Sequence, residues 1–386
     1  MYKFENLIEE VKELNTELNY GLDDIVGVTI EKGLIPTVAN LTQTALDKFY
    51  IVKPETFIYN PRTHGVRLGM GYNETSDTYI TSWNNVAFRV KETAQNIVLP
   101  QYLWLYFCRP IWDRITNFLA WGSSTIVFAW KDFLNIDIDL PSIEKQREIV
   151  EEYGTLSRRI RLNEQMIEKL EATAQALYRK MFVDGIDKDN LPEGWRMGTI
   201  QEFCKDMKSG GTPSRNHHEY WNKKDYPWLK TGEVQNNVIL GTEEFISEDG
   251  LRNSSAKLIP RGSVIMAMYG GGTVSNVAYL DCETTTNQAC CNMLCWSKSD
   301  AAYLYFHLRY HQEEFKRLAN GGAQENLSQE VIAQQPIILT NKEKELFVPI
   351  LDKMIVLYRE NDILKKLQSL LLAKIGQYHF NNEKQY

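Results

Sequence analysis

Three stretches of the chain gather side chains with much to offer a ligand. Ser209-Gly-Gly-Thr-Pro-Ser-Arg-Asn-His217 concentrates hydroxyls, glycines, a guanidinium, a carboxamide and an imidazole. Glycines there leave backbone N–H groups open, and Ser209, Thr212, Ser214, Arg215, Asn216 and His217 supply short donors that suit phosphate oxygens and base edges. Arg215, Asn216 and His217 are the foremost candidates of that stretch. Asn287-Gln288 sets two carboxamides in a row, the group that pairs bidentately with adenine. Lys230-Thr231 follows the apolar Trp228-Leu229, as a polar loop follows a strand end. Thr273 closes Tyr269-Gly-Gly-Gly-Thr273, where a backbone can approach a ligand closely. Gln324 and Asn326 lie in the Gly-rich stretch Asn320–Ser328. Each of these has a plain structural alternative: an exposed loop, a flexible hairpin, a capping or turn bond. Tyr220, Trp221 and Trp228 could stack on bases, although aromatic side chains more often build cores.

The first half of the chain holds a looser set: Lys32, Thr37, Asn60, Arg62, His64, Arg67, Ser82, Asn84 and the run Gly122-Ser123-Ser124-Thr125. Arg62 and Arg67 flank His64-Gly65 and suit a guanine edge or phosphates, with surface solvation as the alternative for each.

Catalytic chemistry finds no comparable constellation. His307 and His311 are four apart on an expected helix, but Leu308 stands where a zinc protease has Glu. Cys290, Cys291 and Cys295 lack the paired Cys-x-x-Cys of a zinc site, and Cys290-Cys291 reads as part of a buried strand. No Gly-x-Gly-x-x-Gly loop is present, and no Gly-Lys-Ser/Thr follows the triple glycine, so neither a dinucleotide loop nor a P-loop is expected. Asn/Asp-Pro-Pro-Tyr/Phe, the tetrad of N6-adenine methyltransferases, is absent too.

The elements that must carry these residues are written twice. Tyr102–Phe107 matches Tyr303–Leu308 at an offset of 201, Gly122 matches Gly322 at 200, Glu144-Lys145 matches Glu343-Lys344 at 199, and Asn163 matches Asn361 at 198. Upstream, Phe57-Ile58 matches Val264-Ile265 at 207. The offset drifts in one direction, as small insertions and deletions would produce, and its length signals a duplicated domain and not a solenoid repeat.

Each copy ends in a heptad-patterned helix. Ile149, Tyr153, Leu156, Ile160, Asn163, Ile167, Leu170, Ala174, Leu177 and Met181 alternate spacings of four and three, the seam of a coiled coil. Ile350, Met354, Leu357, Asn361, Leu364, Gln368, Leu371 and Ile375 repeat the rhythm in a shifted phase. Asn163 and Asn361 are each the asparagine of their seam and are expected to set its register, between two antiparallel helices, because a buried carboxamide needs a polar partner. Elsewhere, residues 5–18 read as a short amphipathic helix and Pro100–Leu119 as helical. Phe49–Val52, Phe57–Tyr59, Val86–Val90 and Ile136–Leu140 read as strands. Asp184–Gly194 is a polar, turn-rich linker.

Composition sets outer limits. A chain of 386 residues, 43% hydrophobic and 24% charged, allows two or three globular domains. No apolar run reaches the ~18 residues of a membrane span, the acidic opening Met1-Tyr-Lys-Phe-Glu-Asn6 is not expected to act as a signal peptide, and the six cysteines read as reduced buried thiols of a cytosolic protein. Net charge is −7, but residues 1–24 alone hold two lysines against seven acids. Residues 28–143 balance at ten basic and ten acidic, so the acidity is local and leaves room for a positive face.

Several segments together resemble the specificity subunit of Type I restriction-modification enzymes. They are Leu191-Pro-Glu-Gly-Trp195, Ser209–Arg215 with Tyr220-Trp221, Pro227–Glu233, and the exit Asn320–Ser328. In the first copy they are Lys32–Thr37, Ile51–Pro54, Phe57–Arg62, and the helix from Arg161–Glu164 to Leu177–Phe182. Individually these motifs are loose; their order across nearly the whole chain makes the match specific. The resemblance implies an α+β fold: two similar mixed α/β target-recognition domains, each followed by a long helix, with the helices packed as an antiparallel coiled coil. The expected divisions are 1–143 (first domain, with its acidic N-terminal helix), 144–183 (central helix), 184–341 (second domain) and 342–386 (C-terminal helix).

It further implies that each domain reads one half of a bipartite double-stranded DNA target, while the coiled coil sets the spacing and docks two modification (methyltransferase) subunits, to which up to two restriction subunits add. The chain itself would be non-catalytic, cytoplasmic and without membrane, metal or cofactor. S-adenosylmethionine would belong to the modification subunit, and ATP and Mg to the restriction subunit. Because the first domain lacks the Tyr-Trp and Pro-Trp-Leu block, it is expected to read a different half-site. A coiled-coil scaffold whose modules bind proteins is the first competing expectation; a hydrolase with a duplicated domain is the second, and the missing acid/base or nucleophile constellation speaks against it.

Overall fold

The structure, a computed structural model, describes residues 1–37, 45–63, 67–121, 126–270, 272–319, 326–340 and 342–375. Contacts divide the chain into two units, Met1–Arg159 with the chain from Leu364 onward, and Ile160–Ile363.

In the first unit the elements are β1 (Tyr2–Lys3), α1 (Phe4–Leu7), β2 (Ile8–Val11), β3 (Val26–Thr29), β4 (Gly33–Pro36), β5 (Tyr50–Val52), β6 (Phe57–Tyr59), β7 (Arg62–Thr63), β8 (Met70–Tyr72), β9 (Tyr79–Thr81), β10 (Val86–Val90), α2 (Pro100–Phe107), α3 (Pro110–Leu119), β11 (Ile126–Val127), α4 (Trp130–Leu134) and β12 (Asp137–Ile138). A long helix, α5 (Ile143–Phe182), follows and runs on into the second unit. The main sheet of the first unit runs β2-β10-β6-β8-β3-β4. It packs on α2, α3 and α4 through an aromatic core. Phe4, Phe57, Phe88, Phe107, Trp112 and Phe133 are all fully buried, with neighbouring ring centroids as close as the 4.7 Å between Phe107 and Trp112.

Two sequence expectations fail here. The helix expected over residues 5–18 is a single turn, Phe4–Leu7, and the chain then pairs Ile8–Val11 antiparallel with Val90–Ala87. A strand partner far along the chain overrides a local amphipathic pattern. The helix expected from Pro100 to Leu119 is two helices, because Arg109 precedes Pro110 and takes extended backbone (φ −74°, ψ 141°), as residues before proline do.

The second unit rebuilds the same order: β13 (Arg196–Thr199), α6 (Ile200–Phe203), β14 (Asp206–Ser209), β15 (Tyr226–Leu229), β16 (Asn237–Ile239), β17 (Glu244–Ile246), α7 (Glu248–Arg252), β18 (Leu258–Ile259), β19 (Val264–Ala267), β20 (Val277–Leu280), β21 (Thr284–Thr286), β22 (Cys290–Leu294), α8 (Lys298–Tyr310), α9 (Gln312–Ala319), α10 (Gln329–Ala333) and β23 (Pro336–Leu339). Its main sheet, β14-β22-β19-β20-β16, repeats β2-β10-β6-β8 strand for strand before diverging at the edge. The second unit adds a four-stranded sheet, β17-β15-β21-β18. Cys290 and Cys291 open β22 with both side chains fully buried, and burial pushes both thiols well up.

A second long helix, α11 (Val348–Ile375), closes the described chain and pairs with α5. Within the first unit Gln368 Nε2 donates to Ser157 Oγ at 2.8 Å, and Ile149 and Ile375 share one buried cluster. Within the second, Asn163 Nδ2 donates to Asn361 Oδ1 at 2.9 Å. As residue numbers rise along one helix they fall along the other, so the pair is an antiparallel coiled coil. Toward Phe182 the buried stripe shifts to Ala174, Tyr178 and Phe182, which pack on α8 and on Phe347, Leu351 and Met354. Arg309 of α8 binds Glu171 at 2.8 Å to fix that contact.

Candidate nucleic-acid interface

Strand directions bring most second-unit candidates to one end of the two sheets. β14 ends at Ser209 opposite Cys291, the second residue of β22, and β19 ends at Ala267 opposite Cys290. β15 and β21 run parallel and end together at Leu229 and Thr286. The loops that leave these ends carry 209–217, 230–231, 270–273 and 287–288. Leu327 N donates to Met268 O at 2.8 Å, which brings Asn326 to the same end.

Close backbone approach holds the loops together. Gly211 N donates to Thr286 O at 2.8 Å, and Asn287 N to Leu229 O at 3.0 Å. A Cβ on Gly210 would stand 2.2 Å from Asn287 O, and one on Gly211 2.3 Å from Ser255 Oγ, so both positions require glycine. Thr212 Oγ1 donates to Gln288 Oε1 across the gap. Thr273 Oγ1 and Thr231 Oγ1 both lie beside Gly270, at 3.0 and 3.5 Å from where its Cβ would be. Ser209 is turned inward, donating to Gln329 Oε1 at 2.8 Å. Asn287 accepts from Cys290 Sγ at 3.2 Å, the turn bond that is its structural alternative.

The exposed rim of this end is Thr212, Ser214, Arg215, Asn216, His217 and Gln288. His217 stacks on Tyr220 at 4.8 Å and meets Glu219 at 2.8 Å. Trp228 is buried, and the half-buried Trp221 packs edge-on against it at 4.9 Å. Trp228 Nε1 donates to Gly211 O at 3.0 Å and Trp221 Nε1 to Ser214 O at 3.2 Å, so these aromatics brace the loop from within. Sequence reasoning missed the acids of this cluster. Arg215 binds Glu244 at 2.7 Å, and Lys230 binds Glu243 at 3.0 Å and Glu244 at 3.1 Å. Hydrogen bonds to Glu243 and Glu244 raise the Lys230 ammonium above its usual range. Burial pushes the Glu244 carboxyl up, but bonds from Arg215 and Lys230 outweigh it and hold it below its usual range.

In the first unit the candidates separate. Asn60, Arg62 and Arg67 share the connection from β6 to β8, where Asn60 N donates to Gly69 O and Asn60 Oδ1 accepts from Arg62 N at 3.0 Å. Both arginines are exposed. Thr37 is tied to Ile25 O at 3.0 Å, past the far end of the β3–β4 hairpin. Ser82 and Asn84 bond each other in the turn from β9 to β10. Lys32 departs from the expected exposed cation. Its side chain is only 7% exposed, and Nζ donates to Asp113 Oδ1 at 2.5 Å and Leu68 O at 2.6 Å. Its charge is engaged inside the fold. His64, Gly122, Ser123, Ser124, Thr125 and Gln324 lie outside the described residues.

No group of three or more His, Cys, Asp or Glu is placed to hold a metal among the described residues, and no described helix is long and apolar enough to cross a membrane. His307 is buried, with Nδ1 2.6 Å from Tyr178 Oη; burial and the neighbouring His311 push its pKa well down.

The family described as Type I restriction modification DNA specificity domain matches residues 12–172 and again 192–372, most of the chain in two copies. The chain belongs to this family of DNA-specificity subunits. The specificity subunit of the Type I restriction enzyme HindI from Haemophilus influenzae is 23% identical over 377 residues, covering 78% of this chain and 81% of that protein. The EcoR124I/EcoR124II specificity subunit from Escherichia coli is 26% identical over 187 residues, covering 47% of this chain and 46% of that one. Among solved structures, the Type I restriction-modification S subunit from M. genitalium superposes with a TM-score of 0.56 at 14% identity, over 97% of this chain and 95% of that one, and shows the fold to be shared. Two target-recognition domains and an antiparallel helix pair are thus the architecture of a Type I specificity subunit.

Proposed function

We propose that this chain confers DNA sequence specificity on a Type I restriction-modification complex, with residues 1–143 and 184–341 each reading one half of a bipartite target. The helices 144–183 and 342–386 set the distance between the halves and dock two modification subunits, to which up to two restriction subunits add. Methylation and cleavage then belong to those partners, with S-adenosylmethionine in the one and ATP and Mg in the other, all in the cytoplasm. The observation that carries this reading is the strand order common to both units, each copy followed by its own long helix. A duplicated reader on one chain suits an asymmetric target, as dimer geometry suits a palindrome.

In the second module Thr212, Ser214, Arg215, Asn216, His217, Lys230, Thr231, Thr273, Asn287, Gln288 and Asn326 form the proposed contact set. In the first it is Asn60, Arg62 and Arg67, with Thr37, Ser82 and Asn84 as outlying contacts. Asn163 and Asn361 set the register of the coil. Salt titration of duplex binding by the complex of this chain with its modification subunit tests the reading. Log K falling linearly with log salt is expected. Binding that ignores salt and accepts no duplex preferentially would favour the protein scaffold.

A further inference from the structure

Arg215 of the second module is held both by aromatic rings and by a carboxylate. Its guanidinium carbon lies 3.5 Å over the Trp221 ring and 5.0 Å from that of Trp228, and one Nη is 2.7 Å from Glu244. The platform is fixed in turn. The two indoles meet at 89°, and their nitrogens bond the carbonyls of Gly211 and Ser214, within the loop that carries Arg215. Glu244 is steadied through its other oxygen by Lys230. The Arg215 side chain nonetheless remains 52% exposed, so a flank of the fork faces solvent.

Charge decides what such a fork can read. Arg215 and Lys230 against Glu243 and Glu244 sum to zero. Phosphate binding draws its strength from net positive charge and counterion release, which a neutral cluster with two carboxylates supplies poorly. Base edges are read through directed hydrogen bonds, for which a locked planar fork matters more than net charge. We infer that Arg215 is a specificity-determining residue that reads a guanine, through O6 and N7, in the half-site of the second module, with Trp221 and Glu244 as its positioning residues. This rests on the DNA-specificity reading above.

The test is selection from a random duplex pool by the complex of this chain with its modification subunit, run for wild type, Arg215→Lys and Glu244→Gln. Both substituted side chains reach solvent. In wild type one half of the selected motif contains the guanine. Lysine keeps the charge but loses the fork, so discrimination at that one position falls about tenfold or more while the other positions hold. Glu244→Gln leaves an acceptor for Arg215 and adds one positive charge to the cluster. Non-target binding then strengthens, the salt slope steepens by about one ion, and the same guanine position partly relaxes. If Arg215→Lys lowers affinity evenly across sequences and keeps every base preference, Arg215 is a phosphate contact and the inference is overturned. An unchanged guanine preference in Glu244→Gln would remove Glu244 from its positioning role. A wild-type complex that selects no motif would overturn the DNA-specificity reading itself and this inference with it.

Discussion

Replacing Asn163 by leucine should destabilise the second unit, whereas replacing Asn163 and Asn361 together should not. The two carboxamides are 3% and 5% exposed and bond each other at 2.9 Å. Removing one leaves the other buried without its partner, at a cost of about 1–3 kcal/mol. Removing both substitutes apolar contact for the bond, which is close to neutral or stabilising. For a unit of this size each kcal/mol moves the melting temperature by about 2–4 °C, so each single variant should melt about 2–12 °C lower and the double variant near wild type. Scanning calorimetry of the full chain reads this directly as a double-mutant cycle. Two single losses that simply add in the double variant would refute the reasoning, since the pair would then contribute no mutual satisfaction. Register is the second readout. The double variant should keep its helices but accept more than one spacer length between half-sites, and a single unchanged spacer would remove the register role.

Other perturbations probe separate parts. Exchanging residues 195–340 for the equivalent module of another specificity subunit should change one half of the methylated motif and spare the other; a change in both would show that the modules do not read independently. Lys32→Ala should cost about 3 kcal/mol by stranding Asp113, visible as lower melting of the first unit with its half-site preference intact, and a shift in base preference without loss of stability would contradict the internal ion pair. His307 is held neutral in the fold while its unfolded form protonates below its ordinary pKa of about 6.5. Its contribution is therefore fully present above that value and is lost as pH falls below it. Wild type should lose melting temperature from pH 6.5 to 5 more steeply than His307→Gln, and parallel slopes would contradict this.

Long periodic signals were legible in the sequence and pairings between distant residues were not. The heptad seam spans enough turns to be unmistakable, and it delivered α5, α11 and the Asn163–Asn361 bond. The repeat foretold two modules, and the structure adds that four sheet strands recur in the same order. Short segments misled wherever tertiary partners decided the outcome, as Ile8–Val11 shows by joining a sheet. Pro110 could have been read as a break, because the rule for the residue before proline is local. For the proposed contacts, composition drew attention to polar, glycine-rich loops but not to their charge balance. Lys32 meets Asp113 across 81 residues, and Arg215 meets Glu244 across 29. Nothing in a linear reading marks those acids as partners. Nor does it show that Trp221 and Trp228 brace the loop through their indole nitrogens.

The central claim is that this chain selects a two-part DNA sequence for a methyltransferase. Co-expression with the modification subunit in a methylation-free host, followed by genome-wide mapping of N6-methyladenine, tests it most directly. A bipartite motif with one fixed gap, present with this chain and lost without it, is the predicted result. A stable complex that leaves the genome unmethylated, or methylates without a split motif, would contradict the account.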